Sequence, residues 1–357
     1  MRVCIIGDGI SSLTLAKALV NENIYVDIFN TKKNNSLNKS RTIGISKSNI
    51  EFFNSNILNI DKIIWKIKNI EIFSENLKNE KLLNFKSNEN QLFSIIRNYQ
   101  LYEMLQKNLL RNKFFKKKKL KINLSLIKNY EIVIINDYFH LFTKKFFSKK
   151  IIKKYNSIAH TTILKHERIL NNTATQIFTR KGPLAFLPIS ENETSVVYSY
   201  SDHQNVKKED IENLIRNYNF KYKINKFPSI YSFKLQSINL RSYYQGKILA
   251  FGDLLHRVHP LAGQGFNMTI RDIKILLEII KKKNSLGMPL DISVNREFEK
   301  LLKHKNLIFS SGIDLVHEFF NIERKIKNTF LSKTIQYLGK NPNINNIFTK
   351  IADKGLI

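Results

Sequence analysis

Cysteine is nearly absent from this chain of 357 residues, which contains only Cys4. A single cysteine excludes an internal disulfide and any metal site built from several cysteines. Cys4 lies inside the first apolar run, where a small buried core residue is the usual occupant and a nucleophile is not. We therefore expect neither thiol chemistry nor a metal site.

Long hydrophobic runs are also missing. No stretch approaches the roughly 20 consecutive apolar residues that a membrane-spanning helix needs. The N-terminus leads directly into a strand-like segment, without the charged region and cleavable apolar core of a secretion signal. The sequence therefore predicts a cytoplasmic protein that could still dock peripherally on the inner face of the cytoplasmic membrane.

Acidic residues are scarce, with 29 Asp and Glu against 59 Lys and Arg, for a formal net charge of +30. Such an excess is typical of nucleic-acid binders. Here, however, the lysines occur along the whole chain among Asn and Ile, which indicates a solvated lysine-rich surface. Attraction to an anionic membrane face is the alternative, and we expect no nucleic-acid partner.

The N-terminal segment reads strand, glycine turn, helix, strand. Residues 2–6 and 24–29 are apolar β runs, and residues 10–20 carry apolar side chains at helical spacing. A βαβ unit at the start predicts a parallel sheet there.

The middle of the chain follows a different pattern. From 155 to 233 the apolar residues tend to alternate, which predicts an antiparallel sheet, with a helix at 208–217. A strand at 247–251 follows, and the remaining sequence is largely helical. Because no Pro- or Gly-rich linker separates these parts, we expect two lobes that are interleaved in sequence.

Residues 7–12 read G-D-G-I-S-S, a form of the dinucleotide-binding fingerprint placed between a strand and a helix. The first glycine permits a tight turn, the second lets a pyrophosphate approach the backbone, and the helix N-terminus supplies free N–H groups. Asn30 ends the second strand, where an acidic residue normally binds ribose. An ordinary turn is the alternative. The predicted contacts are Gly7, Gly9, Ser11, Ser12 and Asn30.

Residues 252–267 read G-D-L-L-H-R-V-H-P-L-A-G-Q-G-F-N. This segment resembles the second FAD-binding signature of the class A flavoprotein monooxygenases, G-D-x-x-H-x-x-x-P-x-x-G-Q-G-x-N. Residues 182–188, 41–46 and 95–98 resemble segments of the ubiquinone-biosynthesis hydroxylase branch. The resemblance runs from the N-terminus to about Asp272 and continues more faintly to Gly355.

The resemblance implies bound FAD, and the residue types suit it. Asp253 can accept hydrogen bonds from the ribityl chain, Pro260 imposes an extended turn, and small residues let the backbone approach a flat ring. The following helix directs its positive end at the ring. The predicted cofactor residues are Gly7, Gly9, Ser11, Ser12, Asn30, Arg41, Arg97, Asp137, Gly252, Asp253, Pro260, Gly263, Gln264, Gly265, Phe266 and Asn267.

No protein side chain is assigned as catalytic, because the chemistry of this family resides in the flavin. The residues expected beside the ring are Pro260, Ala262 and Gly263. Leu184, Phe186 and Pro188 are predicted to line the substrate pocket, with core packing as the alternative. His256 and His259 could be turn histidines that are satisfied by the protein itself.

One segment departs from the family pattern. Residues 135–140 read I-N-D-Y-F-H, where relatives usually carry A-D-G. Asp137 is kept, but Tyr138 replaces the glycine. If the backbone there has a positive φ, tyrosine costs about 1–2 kcal/mol or forces a different turn. The departure bears on how NAD(P)H is used.

The predicted fold class is α/β (α+β), a Rossmann-like FAD-binding domain interleaved with an antiparallel or mixed-sheet substrate domain, as in p-hydroxybenzoate hydroxylase. The predicted segments are 1–61, 91–154 and 241–290 for the FAD-binding domain, 62–90 and 155–240 for the substrate domain, and 291–357 for a helical C-terminal region.

The resemblance implies an FAD-dependent monooxygenase, an oxidoreductase that uses NAD(P)H and O₂. The resemblance implies that the reaction proceeds through a flavin C4a-hydroperoxide and that the substrate is a polyprenylated phenol of ubiquinone biosynthesis. A biosynthetic complex is a further expected partner. Apolar C-terminal residues such as Leu315 and Leu338 are candidates for peripheral membrane contact, with core packing as the favoured alternative. Two alternatives remain: a hydroxylase of a soluble aromatic compound, and a degenerate FAD-binding scaffold, suggested by the Asp137-Tyr138 turn.

Overall fold

The computed structural model describes residues 1–30, 38–77, 80–86, 91–119, 123, 125–201, 207–259, 263–326, 330–341, 343, 346, 350 and 353. The strands in chain order are β1 (Arg2–Ile6), β2 (Tyr25–Phe29), β3 (Thr42–Ser46), β4 (Ile64–Ile67), β5 (Asn69–Ser74), β6 (Lys81–Lys86), β7 (Phe93–Arg97), β8 (Phe115–Lys118), β9 (Ile132–Ile135), β10 (Lys150–His166), β11 (Thr173–Thr179), β12 (Gly182–Pro188), β13 (Glu193–Tyr200), β14 (Ile224–Lys226), β15 (Tyr231–Leu240), β16 (Tyr244–Gln245), β17 (Ile248–Ala250) and β18 (His256–Arg257). The helices are α1 (Ile10–Asn21), α2 (Lys47–Asn56), α3 (Asn98–Leu110), α4 (Leu141–Phe146), α5 (Lys208–Asn217), α6 (Gln264–Ser285), α7 (Ile292–Ile326) and α8 (Phe330–Lys340).

A six-stranded sheet in the order β16-β17-β9-β1-β2-β8 forms the core of the first lobe. Five of its strands are parallel neighbours, and β16 is the antiparallel exception. Cys4 in β1 is fully buried, as are the apolar residues of β9. Strands buried on both faces read as continuous apolar runs. Because the strands are parallel, the segments that follow β1, β2, β9 and β17 meet at one edge, which we call the carboxyl edge.

A three-stranded antiparallel sheet, β3-β7-β4, belongs to the same lobe. Strand β3 packs against α6, which also contacts α1. The sequence pattern did not predict this separate sheet. Its strands are short and pair only with one another, so they are defined by tertiary contacts.

A nine-stranded sheet forms the second lobe, with the path β18-β15-β10-β13-β12-β11-β5-β6 and β14 paired with β10. One face packs against α5, and we call it the helix-covered face. The opposite face, which we call the inner face, points toward the first lobe. Three pairs of side chains join the inner face to the first lobe: Thr161 with Ser40, Ser195 with Thr42, and Glu193 with Arg97.

The C-terminal helices cover the remaining part of the inner face. Helix α7 packs on α6, and α8 packs on β6. Phe178 of β11 stacks on Phe320 of α7 with ring centroids 3.5 Å apart. In the described part of the chain, no helix is long and apolar enough to cross a membrane. Both lobes draw their strands from separated stretches of sequence, as an interleaved chain requires; the predicted domain boundaries stay predictions.

Candidate cofactor site

The turn between β1 and α1 lies at the carboxyl edge. Gly7 has φ +108°, and a Cβ there would lie 3.4 Å from the backbone nitrogen of Asp137. Gly9 precedes the first residue of α1 and has no side chain that could cap this helix. The N–H groups of Ile10 and Ser11 therefore have no cap from Gly9 and can bind an anion, which the helix dipole favours.

Asn136 joins three of the segments that meet at this edge. Its side-chain amide donates to the carbonyl oxygen of Phe251 (2.9 Å) and accepts from the backbone N–H of Ser12 (3.2 Å). Gly252 follows directly, with φ +61°, and a Cβ on it would lie 2.6 Å from the Asn136 amide. Only glycine combines this φ with so close an approach. Asn136 was not among the predicted site residues, because nothing in the sequence marks a bridging amide.

The start of α6 is built in a similar way. Gly263 has φ +64°, and a Cβ there would lie 3.3 Å from the backbone nitrogen of Gly44. No side chain of the described residues caps α6. Gln264 is buried, whereas Gly265 and Phe266 are partly exposed. Pro260 and Ala262, which were predicted to lie beside the ring, fall outside the described residues.

Asn267 holds the start of α6 against β3. Its Oδ1 accepts from the Ser46 backbone N–H (2.9 Å) and from Asn49 Nδ2 (2.9 Å), while its Nδ2 donates to the carbonyl oxygens of Gly44 (3.0 Å) and Gly263 (3.2 Å). These four bonds occupy both polar atoms of the amide. Asn267 therefore holds the backbone of the site in position, and direct contact with a cofactor would come from neighbouring residues.

The two predicted arginines have different surroundings. Arg97 forms an ion pair with Glu193 of the inner face, and both side chains are about four-fifths buried. Arg41 is exposed, with its guanidinium carbon 5.4 Å from the ring centroid of Phe233. Arg97 thus joins the two lobes, while Arg41 stays available at the opening between them. Asn30 follows β2 and is half-buried, and Asp253 is exposed in a short 3-10 helix.

Neither residue of the Asp137-Tyr138 turn has a positive φ. Of the described non-glycine residues, only Asn23 and Asn156 have φ in that region, so Tyr138 is not strained. The Asp137 carboxylate accepts from the Phe139 backbone N–H (2.8 Å). The expected alternative of a different turn is therefore the one adopted, and the carboxylate of Asp137 stabilises it.

His256 and His259 are both buried and differ in their partners. His256 Nε2 lies 2.5 Å from Asp272 Oδ2, and Asp272 Oδ1 accepts from Asn306 (3.1 Å). Burial alone would lower the pKa of His256, but the carboxylate of Asp272 raises it above the usual value. Nε2 of His256 is thus satisfied by the protein itself, whereas its buried Nδ1 has no hydrogen-bond partner among the described residues.

His259 has no hydrogen-bond partner for either ring nitrogen among the described residues. Its ring packs edge-on against Tyr155 (4.8 Å between centroids) and lies 4.5 Å from the ring of His317. Burial, with a smaller effect of His317, lowers the pKa of His259 to about 3, so the ring is neutral. An unpartnered buried imidazole is costly, and this one stands next to the bend that leads into α6.

These features fit a dinucleotide with a flat ring. Three glycines with positive φ open the backbone of this site, and two helices begin after glycines that supply no side-chain cap. Among the described residues, His259 offers unpaired nitrogens close in sequence to one of these helices. In the described part of the chain, no group of three His, Cys, Asp or Glu side chains could hold a metal ion.

Residues 145–283 match the family model described as FAD binding domain. The chain is 30% identical over 157 residues to 3-demethoxyubiquinol 3-hydroxylase of Escherichia coli K12, covering 41% of this chain and 39% of that protein. It is 26% identical over 184 residues to ubiquinone hydroxylase UbiL of Rhodospirillum rubrum, covering 47% and 41%. The matches thus span about two fifths of the length of these curated relatives.

The fold extends the likeness to nearly the whole chain. The structure of p-nitrophenol 4-monooxygenase PnpA from Pseudomonas putida superposes with a TM-score of 0.76 at 12% identity, covering 99% of this chain and 98% of that one. Klebsiella pneumoniae HpxO, solved with FAD and uric acid, gives 0.77 at 11% identity, covering 99% and 97%. By sequence over part of its length and by fold over nearly all of it, the chain resembles the class A FAD-dependent monooxygenases. The predicted family resemblance, fold class and FAD cofactor are confirmed.

The residues predicted to line the substrate pocket lie on the helix-covered face of the sheet, where core packing was the alternative. Leu184 and Phe186 are buried in the core beneath α5, and Pro188 shares their side of β12. Successive strand residues point to opposite faces, so the inner face carries the alternate positions. On the central strands, these inner-face positions carry small or hydroxylated residues: Ala159, Thr161, Ala185, Val197 and Ser199.

Proposed function

We propose that this chain is an FAD-dependent monooxygenase that hydroxylates an aromatic ring, with NAD(P)H as reductant and O₂ as co-substrate. One observation carries the proposal. The uncapped start of α6, opened by Gly263, stands between the carboxyl edge and the inner face, which is where a flat ring would meet both a cofactor-binding backbone and a substrate surface.

The residues of the carboxyl edge have separate tasks in this proposal. Gly7 and Gly9 bring the pyrophosphate of FAD against the N–H groups of α1. Asp253 accepts hydrogen bonds from the ribityl chain, and the first turn of α6 directs its dipole at the ring. When bound, FAD supplies the redox and oxygen chemistry; the protein binds, orients and excludes water.

The inner face is suited to a flat, mostly apolar substrate. Ala159, Ala185 and Val197 are small side chains in its centre, which leaves room for an aromatic ring. Ser199 and Thr161 supply hydroxyls that can orient a phenol. The FAD-binding lobe and α7 flank this surface and would shield the reacting atoms from water.

The edge of the inner face favours a substrate with an apolar tail. Tyr231 and Phe233 of β15 pair with Thr161 and Ala159 and lie on the same face, yet both are exposed, at 49% and 38%. Two exposed aromatic rings that continue a buried surface form an entrance for an apolar chain. Together with relatives that carry the names of ubiquinol and ubiquinone hydroxylases, this favours a polyprenylated phenol.

Peripheral membrane contact and a place in a biosynthetic complex, both expected from the sequence, form part of the same proposal. A second candidate is an FAD-binding scaffold without turnover. It is favoured by the turn after β9, where the Tyr138 hydroxyl accepts from Lys150 (2.9 Å) and fills space that a glycine would leave open. A hydroxylase of soluble aromatic compounds is the third candidate function.

Purified protein loaded with FAD distinguishes these functions. NAD(P)H oxidation stimulated by a prenylated phenol, with a product heavier by one oxygen in mass spectrometry, supports the proposal. Stimulation by short soluble phenols alone would support a hydroxylase of soluble aromatic compounds. Bound flavin without turnover would support the FAD-binding scaffold.

Phe233→Ala tests the entrance. We expect it to raise KM for a prenylated phenol several-fold and to leave KM for a short phenol unchanged, because only the prenyl tail would contact the Phe233 ring. Phe220→Ala removes another exposed phenylalanine of the same lobe and should change neither. Equal effects on both substrates would exclude Phe233 as a tail contact.

A further inference from the structure

A cluster of exposed apolar side chains lies on residues 139–152, which connect the Asp137-Tyr138 turn to the start of β10. Phe139 and Leu141 are 67% and 75% exposed, and Ile151 and Ile152 are also exposed. Single exposed apolar residues are ordinary, but a contiguous group on a protein surface marks an interaction site.

Contacts of Tyr138 make the group contiguous. Lys150 Nζ donates to the Tyr138 hydroxyl (2.9 Å) and lies 4.1 Å from the centroid of the Tyr138 ring. The rings of Tyr138 and Phe139 meet edge to face, with centroids 5.2 Å apart. Residues 138–139 and the start of β10 therefore lie side by side. Of the two exposed isoleucines, Ile152 lies on the same side of β10 as Lys150, and Ile151 points to the other side.

The charges of this segment are all of one sign. Lys144, Lys145, Lys149 and Lys154 are exposed, and residues 138–154 contain no Asp or Glu. A partner that covers this surface must offer apolar contact and negative charge together. The apolar C-terminal stretch around Leu315 lacks this combination, because residues 306–320 contain no Lys or Arg.

We propose that this surface, formed by the exposed residues of 139–154, docks the protein on an anionic lipid bilayer. Lysine is depleted in protein–protein interfaces, which prefer Tyr, Trp and Arg. Apolar side chains flanked by lysines are instead typical of elements that lie in a membrane interface, where each basic residue adds electrostatic attraction to anionic headgroups. The proposal is independent of catalysis, since its readout is vesicle binding.

Sedimentation with lipid vesicles tests the docking. We expect the protein to bind phosphatidylcholine vesicles that contain 30% phosphatidylglycerol and to bind pure phosphatidylcholine much more weakly. The double variant Lys144→Gln and Lys145→Gln should bind about 25-fold more weakly, about fivefold for each lysine. Leu141→Ser should lose at least about tenfold, from the apolar contact.

Matched controls carry the same chemical changes elsewhere. Lys62→Gln with Lys66→Gln removes the same charge from exposed positions of the first lobe, and Leu170→Ser removes an exposed leucine of the second. Both should bind within about twofold of the unmodified protein, and thermal unfolding should show that all variants fold.

Three results would overturn the proposal. One is equal binding by the patch variants and their controls. Another is equal binding of the unmodified protein to neutral and anionic vesicles. The third is self-association without vesicles, seen by gel filtration and abolished by Leu141→Ser, which would assign the surface to a second copy of this chain.

Discussion

The carboxyl edge of the first lobe and the inner face of the second lobe present opposite kinds of site. The edge is made of backbone: Gly7, Gly252 and Gly263 are placed by their φ angles, and the sequence shows them directly. The inner face is made of side chains whose direction depends on register, and neighbouring residues such as Val196 and Val197 differ in role without differing in identity. The sequence therefore predicts a site that is made of backbone, but it does not predict which face of the sheet a strand residue occupies.

Gly252→Ala should produce the largest effect. Its Cβ would approach the Asn136 amide to 2.6 Å at φ +61°, so we expect the free energy of unfolding to fall by about 3 kcal/mol, from a left-handed backbone and a lost buried hydrogen bond. FAD should also be lost on gel filtration.

Gly246→Ala is the matched control for this change. Gly246 has φ +56°, and no atom lies within 4 Å of the Cβ position, so the cost should be about 1 kcal/mol with FAD retained. Similar losses for the two variants in chemical denaturation would show that the φ angle alone matters, and the argument from Asn136 would fail.

The two valines of β13 test the assignment of faces. Val196→Ala removes two methyl groups from the core under α5 and should lower the free energy of unfolding by about 2 kcal/mol with little change in KM. Val197→Ala should cost about 0.5 kcal/mol or less and change KM for the aromatic substrate. The reverse pattern in denaturation and steady-state kinetics would place the substrate on the helix-covered face.

The effects of the two buried histidines, His256 and His259, are visible only as a dependence of stability on pH. The pKa of His259 is lowered to about 3, so its contribution to stability is present above the unfolded value of about 6.5 and is lost as pH falls, by up to about 1.4 kcal/mol per unit. His256, whose pKa is raised, contributes below 6.5 and loses this as pH rises through its folded pKa.

Thermal unfolding without flavin, between pH 4.5 and 8.5, separates these contributions. His259→Gln should flatten the decline on the acidic side, and His256→Gln should flatten the decline on the alkaline side. Unchanged slopes in the His259 variant would mean that its ring is protonated in the folded protein, contrary to the burial described.

Periodic segments were predicted closely. The expected helices 10–20 and 208–217 correspond to α1 and α5, and the expected strand 2–6 is β1. In these segments local pattern and tertiary packing agree. The strand β8 was missed because its sequence, F-K-K-K, is polar; it forms at the sheet edge, where Lys117 and Lys118 pair with Asp8 and Asp27.

The sequence predicted the parts of the site in which the backbone conformation requires a particular residue type. It did not predict contacts between residues that are far apart in sequence. The glycines and the start of α6 follow from the two motifs. The bridge by Asn136, the ion pair of Arg97 with Glu193 and three of the four bonds of Asn267 join segments that are 96 to 223 residues apart. Such pairings arise only after the chain has folded.

The seclusion of Cys4 has a practical consequence. Burial, with a smaller effect of Asp27, raises the pKa of its thiol, and a buried protonated thiol reacts slowly with maleimides. The natural chain is thus a background in which an engineered surface cysteine would be the single labelling position. A fluorophore attached next to Leu141, for example, could report the approach to lipid without any cysteine first being removed.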